Sequence, residues 1–295
     1  SDKVKAVGNK VKAVGKMIAT PVVKLKDGVT AGLSKIKGQL TSLAKTVTIP
    51  VTLAATVVVG GAINQGAALE QSIGGVETLF KEDASVVKAN ADAAFRTAGL
   101  SANAYMEQVT SFSASLISSL SGDTAKAATV ADMALIDMAD NANKFGTDME
   151  SIQNAYQGFA KQNYTMLDNL KLGYGGTKEE MQRLLSDAQK LTGTKYDINN
   201  LADVYNAIHA IQENLGVTGT TAKEASSTFS GSFSAMKAAA QNLLGNMAIG
   251  GDVTGSMKEL VSTASTFLLD NAIPMVGRVI TSLPEAIQTG LQTAA

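Results

Sequence analysis

Residues 177–193 read TKEEMQRLLSDAQKLTG, a run that contains a helix start, an apolar face and a helix stop. Thr177 and Glu180 have the spacing of a capping box, in which two side chains accept hydrogen bonds from the free N–H groups of a first turn. Gly193 is typical of the residue that follows a last turn. The apolar residues between them recur every three or four positions, which predicts one buried face. They are Met181, Leu184, Leu185, Ala188 and Leu191.

The same signals recur along most of the chain. A second stripe of helical spacing consists of Leu201, Val204, Tyr205, Ile208, Ile211 and Leu215. Further capping boxes are expected at Thr147/Glu150, Thr221/Glu224, Ser256/Glu259 and Ser282/Glu285, with helix stops at Gly99, Gly122, Gly146, Gly193 and Gly216. Aromatic residues make up only 5% of the chain, which disfavours regular β-structure. The sequence therefore predicts an all-α fold, with a multi-helix bundle over residues 70–250 and amphipathic helices over residues 251–295.

Residues 1–45 form a basic segment with a different pattern. They hold ten Lys and two Asp, a net charge of +8, whereas residues 46–295 hold 15 basic and 24 acidic side chains, a net of −9. Residues 4–10 (VKAVGNK) repeat almost unchanged at residues 11–16 (VKAVGK). This period of seven predicts an extended coiled-coil-like arm; a surface helix folded back on the body is the alternative. The predicted seam is Val4, Val7, Val11, Val14, Ile18, Val29, Leu33, Ile36, Leu40 and Leu43.

Residues 46–69 contain no charged side chain and form a candidate membrane segment. Their length is sufficient to cross a bilayer, but Pro50 and several Thr residues make them only mildly hydrophobic. A segment that is buried in an oligomer and inserts after a rearrangement is therefore favoured over a stable anchor. Residues 101–122 are similarly poor in charge, and we expect a buried central helix there; a second segment able to enter a membrane is the alternative. The apolar members of the first segment are Ile49, Val51, Leu53, Val57, Val58, Val59 and Ile63.

Few residues are suited to catalysis or to metal binding. The chain has no Cys and a single His, His209, for which a structural or exposed position is expected. Asp132, Asp137 and Asp140 recur at helical spacing and are interpreted as a solvated helix face. Residues 173–178 (GYGGTK) lack the glycine spacing of a phosphate-binding loop and are interpreted as the loop before the helix at Thr177. We therefore predict no enzymatic activity, no metal and no cofactor.

Four runs between residues 69 and 250 are rich in polar residues that helix formation alone does not require. They are residues 69–80 (LEQSIGGVETLF), 138–156 (MADNANKFGTDMESIQNAY), 163–178 (NYTMLDNLKLGYGGTK) and 218–225 (TGTTAKEA). These runs resemble the conserved core of the tail tape-measure proteins of phages of Gram-positive bacteria. The resemblance covers about two thirds of the chain and implies a piece of a longer, helical protein.

The resemblance also implies a role in a virion. Tape-measure proteins set tail length, lie in several copies inside the tail tube and at the tail tip, and leave ahead of the DNA at infection. The implied partners are other copies of the chain, the tail tube protein, the distal tail and tip or baseplate hub proteins, the host membrane on ejection and, transiently, DNA. Phage-tail-like bacteriocins contain members of the same family.

Two alternatives come from other classes of protein. The uncharged stretches are also compatible with a pore-forming, toxin-like membrane protein that acts without a tail. An enzyme with a site assembled from scattered carboxylates would depend on Asp132, Asp137, Asp140 or His209. The basic residues 1–45 are suited to binding DNA phosphates, which steep salt dependence would reveal.

Overall fold

The computed structural model describes residues 51–275, with side chains from Gln65 onward. All regular elements in this range are helical and none is a strand, which confirms the prediction of an all-α, multi-helix fold. The predicted arm at residues 1–45, residues 46–50 and residues 276–295 lie outside the described range.

The described range contains ten α-helices, which follow one another along the chain. The first five are α1 (Val51–Phe80), α2 (Ala84–Thr97), α3 (Ala102–Ser119), α4 (Thr124–Phe145) and α5 (Met149–Phe159). The next five are α6 (Lys178–Thr192), α7 (Leu201–Asn214), α8 (Thr220–Ser227), α9 (Phe229–Ile249) and α10 (Val253–Ser265). Short 3₁₀ turns occupy Lys81–Asp83 and Leu167–Leu170, and α10 continues into a π-helical segment, Thr266–Ala272.

Several local predictions from the sequence are confirmed. Thr177 caps α6, because its hydroxyl accepts a hydrogen bond from the Glu180 amide at 3.2 Å. The Glu180 carboxylate bonds the Gly175 amide instead of completing the reciprocal box. The five predicted helix stops all have the left-handed backbone conformation that favours glycine: Gly99, Gly122, Gly146, Gly193 and Gly216.

Two predicted capping boxes were wrong by a few residues. Asp148, and not Thr147, caps α5, because its carboxylate accepts from the amides of Glu150 and Ser151. Ser256 lies inside α10, which Asp252 caps. In both cases a nearby aspartate supplies the acceptor, and aspartate is among the strongest N-cap residues. The box at Ser282/Glu285 lies outside the described residues.

Aromatic side chains from α3, α5 and α7 meet in the core. The rings of Tyr156 and Tyr205 lie 5.1 Å apart, and Phe112 meets Tyr205 edge-on at 5.7 Å. The stripes predicted on α6 and α7 are buried in this core except for their last members, Leu191 and Leu215, which are 49% and 47% exposed. Both lie where the helix ends and the chain turns away from the core.

The expectation for residues 101–122 is confirmed, since α3 is packed within the core. Its buried side chains include Tyr105, Met106, Val109, Phe112 and Leu116. At another contact, α1 approaches α9 closely. A Cβ at Gly66 would overlap that of Ala248, and one at Gly245 would lie 2.9 Å from the Leu69 side chain. Small residues at these positions therefore set the distance between the two helices.

Candidate functional site: a buried polar junction and an exposed aromatic face

Helix α4 carries the main cluster of buried polar side chains. It contacts α2, α3, α5, α7 and α8, so residues on several of its faces are enclosed. Asp137, Asp140 and Asn141 are all at most 1% exposed. The interpretation of the aspartates as a solvated helix face is therefore wrong for Asp137 and Asp140. Asp132, closer to the start of α4, accepts a hydrogen bond from the Tyr105 hydroxyl at 2.6 Å.

Asp140 supplies the N-terminal cap of α8 from a distant part of the chain. Its two carboxylate oxygens accept hydrogen bonds from the amides of Gly219 at 2.6 Å and Thr221 at 2.7 Å. No side chain of α8 itself caps this end. A negative charge is also stabilised there by the helix dipole. Asp140 thus replaces the local cap that the sequence of α8 lacks.

The predicted capping box at Thr221 and Glu224 was therefore wrong. Thr221 is the second residue of α8, and its hydroxyl accepts a hydrogen bond from the Asn143 amide group at 2.8 Å. The prediction was wrong because the Thr221 amide donates its hydrogen bond to the carboxylate of Asp140, 81 residues away.

Asn141 connects α4 to two further elements. Its amide nitrogen donates to the carbonyl of Leu170 at 2.9 Å and to the side chain of Gln212 at 3.3 Å. Gln212, which is fully buried on α7, donates in turn to the Tyr156 hydroxyl at 3.4 Å. We call the group formed by Asp137, Asp140, Asn141, Asn143, His209, Gln212 and Thr221 the polar junction.

Asp137 and His209 form the ionisable pair of the polar junction. His209 Nδ1 lies 2.9 and 3.0 Å from the two carboxylate oxygens of Asp137. Burial raises the pKa of Asp137 to about 6, although the hydrogen bond to His209 opposes this shift. The hydrogen bond to Asp137 raises the pKa of His209 above its usual 6.5, despite the opposing effect of burial. The structural role expected for His209 thus involves a partner 72 residues away.

The carboxylates of the polar junction are engaged in hydrogen bonds within the protein. Both oxygens of Asp140 accept backbone amides, and both oxygens of Asp137 face His209. Within residues 51–275, no group of three or more His, Asp or Glu side chains has the geometry to hold a metal ion. The arrangement joins α4, α7 and α8, and its chemistry is that of a structural junction with one titratable pair.

A second feature is an apolar surface at the C-terminal end of the described range. On α9, Phe229 and Phe233 flank the ring of Phe267 at centroid distances of 5.1 and 5.3 Å. We call this surface the aromatic face. Val261, Leu268, Leu269 and Ile273, on α10 and the segment that follows it, are also exposed.

The π-helical segment is fixed by a buried side chain. Asn271, which is 7% exposed, donates to the carbonyls of Thr266 at 3.0 Å and Ser226 at 3.3 Å. Ser226 lies in the last turn of α8, so this bond links the aromatic face to the helix that Asp140 caps. This link could not be predicted from the sequence, because a lone asparagine in an amphipathic run is usually exposed.

The residues singled out from the sequence lie mostly apart from these two features. The seam residues Val4 to Leu43, together with Ile49, lie outside the described range. Val51, Leu53, Val57, Val58, Val59 and Ile63 lie in the first half of α1. Across the described part of the chain, no helix combines the length and the hydropathy needed to cross a membrane.

The chain was compared with protein-family models, with curated proteins and with solved structures. None of the three comparisons found a significant match.

Proposed function

We propose that this chain is a segment of a phage-type tail tape-measure protein, a helical structural component of a virion. The observation that carries the proposal is that one of the four runs resembling that family is hydrogen-bonded to two of the others. Asp140 and Asn143, in residues 138–156, bond Gly219 and Thr221 in residues 218–225. Asn141, in the first of these runs, bonds the carbonyl of Leu170 in residues 163–178.

These contacts explain why the runs contain polar residues that helix formation does not require. Buried polar groups are costly unless they are paired, so each member needs its partner. In this chain Asp140 is paired with the start of α8, and Asn141 with the turn at Leu170. Three of the runs that carry the resemblance thus meet in one packing arrangement of this chain, which supports a structural role.

In this role several copies of the chain lie inside the tail tube and at the tail tip, against the tube and the distal tail and hub proteins. The chain sets tail length as part of a longer protein and leaves ahead of the DNA at infection. No cofactor or catalytic step belongs to this role. The predicted arm at residues 1–45 would run along the tube, where copies associate through the seam.

The proposal is tested by locating the chain in intact particles. Cryo-electron microscopy of the tail tip, with mass spectrometry of purified particles for copy number, should place helical density for residues 60–275 on the tube axis. Absence of the chain from purified particles would refute the proposal. The pore-forming alternative would then be tested by lysis of cells exposed to the purified chain alone.

The membrane step is a separate part of the proposal. We propose that residues 46–69 contact the host membrane only after release from the tube. Purified chain mixed with dye-loaded anionic liposomes should bind them and cause leakage after a trigger such as mild denaturant. If neither binding nor leakage occurs under any trigger, the membrane step fails while the tail location stands.

A further inference from the structure

The π-helical segment, Thr266–Ala272, continues α10 with a wider turn than that of an α-helix. The amide of Ile273 donates to the carbonyl of Leu268, five residues back, whereas an α-helix bonds four residues back. We call these two arrangements the π register and the α register. A change to the α register would move each later residue into the place of its successor, a rotation of about 100° about the helix axis. Such π-helical segments are rare and are frequent at functional positions.

The side chain in the buried place of this segment favours the π register. Asn271 is 7% exposed and donates to the carbonyls of Ser226 at 3.3 Å and Thr266 at 3.0 Å. In the α register Asp270 would take this place. An ionised aspartate has no hydrogen to donate, so a charged carboxylate would lie buried against the Ser226 carbonyl without a partner. The π register instead keeps the donor inside and leaves Asp270 exposed.

Pro274 also disfavours the α register. The helix continues through residues 273–275, so this proline lies within it. A proline inside an α-helix has no amide to donate, and its ring clashes with the carbonyl four residues back, here that of Asp270. Pro274 therefore reduces the advantage that α-helical bonding ordinarily has over π-helical bonding. A few hydrogen bonds are then sufficient to decide between the two registers.

One of these hydrogen bonds connects the segment to α8. The Ser226 carbonyl lies in the last turn of α8, where helix carbonyls lack an intrahelical partner. The start of α8 is held by Asp140, which accepts hydrogen bonds from the amides of Gly219 and Thr221. A helix of only eight residues thus joins the polar junction to the π-helical segment. Because energetic coupling is reciprocal, each end of α8 should respond when the other end is released.

We propose that Thr266–Ala272 is a conformational switch with two registers, which α8 holds in the π register through Asn271. When the start of α8 is released from Asp140, the bond to Ser226 is lost and the segment changes to the α register. The chain that follows Ala272 then turns by about 100° about the helix axis. Asp270 moves into the place of Asn271, which the departure of α8 has opened to water. The switch rests on these contacts and does not depend on the proposed function.

The test is to exchange the two neighbouring residues. Asn271→Asp leaves no donor for the Ser226 carbonyl in either register. In the full chain, hydrogen exchange followed by mass spectrometry should then be at least about tenfold faster in peptides covering residues 218–228 and 266–273. Addition of Asp270→Asn supplies a donor in the α register and should restore most of the protection. Further addition of Pro274→Ala should restore it fully, because the α register is then no longer disfavoured.

The matched control is Asp270→Ala combined with Asn271→Asp. This pair removes the same charge as Asp270→Asn but supplies no donor, so exchange should stay as fast as in Asn271→Asp alone. Rescue by the neighbouring asparagine, and not by alanine, distinguishes a change of register from a side chain that acts in one fixed position.

The coupling to the polar junction is measured with Asp140→Asn. Exchange in residues 266–273 should rise at least about threefold more than in peptides of α6, which report opening of the whole body. Asp123→Asn, which alters the exposed cap of α4, should produce no such difference.

Three results would overturn the proposal. If Asn271→Asp leaves exchange unchanged, Asn271 does not hold the segment. If Asp270→Asn fails to rescue it, or rescues it no better than Asp270→Ala, the segment has no second register. If Asp140→Asn accelerates residues 266–273 and α6 equally, α8 does not control the register. None of these results bears on where the chain lies in a particle.

Discussion

Replacement of Asp140 by asparagine keeps the shape of the side chain but changes its hydrogen bonding. Asparagine has one carbonyl oxygen, so it cannot accept both amides at the start of α8 with separate oxygens. The Thr221 amide is buried, whereas Gly219 is exposed. The variant side chain should therefore keep the bond to Thr221 and turn its NH₂ group toward Gly219, whose amide is left to water.

The size of the effect follows from these two bonds. A hydrogen bond to a charged group contributes about 1.5–3 kcal/mol, and one between neutral groups about 0.5–1.5 kcal/mol. Loss of the charge on the Thr221 bond and loss of the Gly219 bond together should lower the free energy of unfolding by about 2.5–4.5 kcal/mol. A typical domain has only about 5–15 kcal/mol in total, so the chain should fold but unfold at a clearly lower urea concentration.

The matched control is Asp123→Asn. Asp123 also caps a helix, since it accepts the Lys126 amide at 3.0 Å at the start of α4, but it is a local and exposed cap. Asparagine caps such a helix about as well as aspartate, so this variant should lose clearly less stability than Asp140→Asn. Urea unfolding followed by circular dichroism measures both, and hydrogen exchange at residues 218–225 reports the local effect. Equal destabilisation by the two variants would refute the role assigned to Asp140.

Three further predictions concern other parts of the body. The pKa values of Asp137 and His209 are both raised in the folded state, so the folded chain binds protons more tightly than the unfolded chain. As pH rises from about 4 through 6, Asp137 ionises and its burial lowers the stability. As pH rises through the raised pKa of His209, the stability that this residue contributes is also lost. The double variant Asp137→Asn, His209→Gln should remove this contribution. The free energy of unfolding of the wild type minus that of the variant should therefore fall between pH 4 and pH 8, and a flat or rising difference would contradict the prediction. Gly66→Ala should destabilise the chain by about 1–3 kcal/mol, because the added methyl group overlaps Ala248. Gly74→Ala, which has open space on the same helix, should stabilise it by about 0.5–1 kcal/mol. Adding Ala248→Gly should reverse the effect of Gly66→Ala, as measured by thermal unfolding. Leu184→Ala in the core should lower the free energy of unfolding by about 2–5 kcal/mol, and Leu191→Ala on the surface by less than about 0.5 kcal/mol. Similar urea midpoints for the two variants would contradict the exposure of Leu191.

The features that the sequence predicted correctly are those encoded by neighbouring residues. A glycine stop and a stripe of helical spacing depend on a few positions along one helix. The sequence therefore predicted α6, α7 and the cap at Thr177 correctly. The ends of the stripes could not, because burial of Leu191 and Leu215 depends on where the core stops.

The polar junction could not be predicted because its partners are far apart in sequence. Asp137 and His209 are separated by 72 residues, and Asp140 reaches an amide 81 residues away. A helical spacing of aspartates is the same whether the helix is on the surface or enclosed, so the pattern alone favoured the commoner exposed arrangement. The polar content of residues 138–156 was the one available signal that these side chains have partners.

The cap that α4 provides for α8 has a consequence for the order of folding. An isolated helix of eight residues is too short to persist in water, and α8 has no side-chain cap of its own. Its first turn therefore has to wait until α4 has formed and presents Asp140, and its last turn is tied by Asn271 only when the segment after α10 is in place. Residues 218–227 should thus acquire structure late, after both α4 and the segment that follows α10.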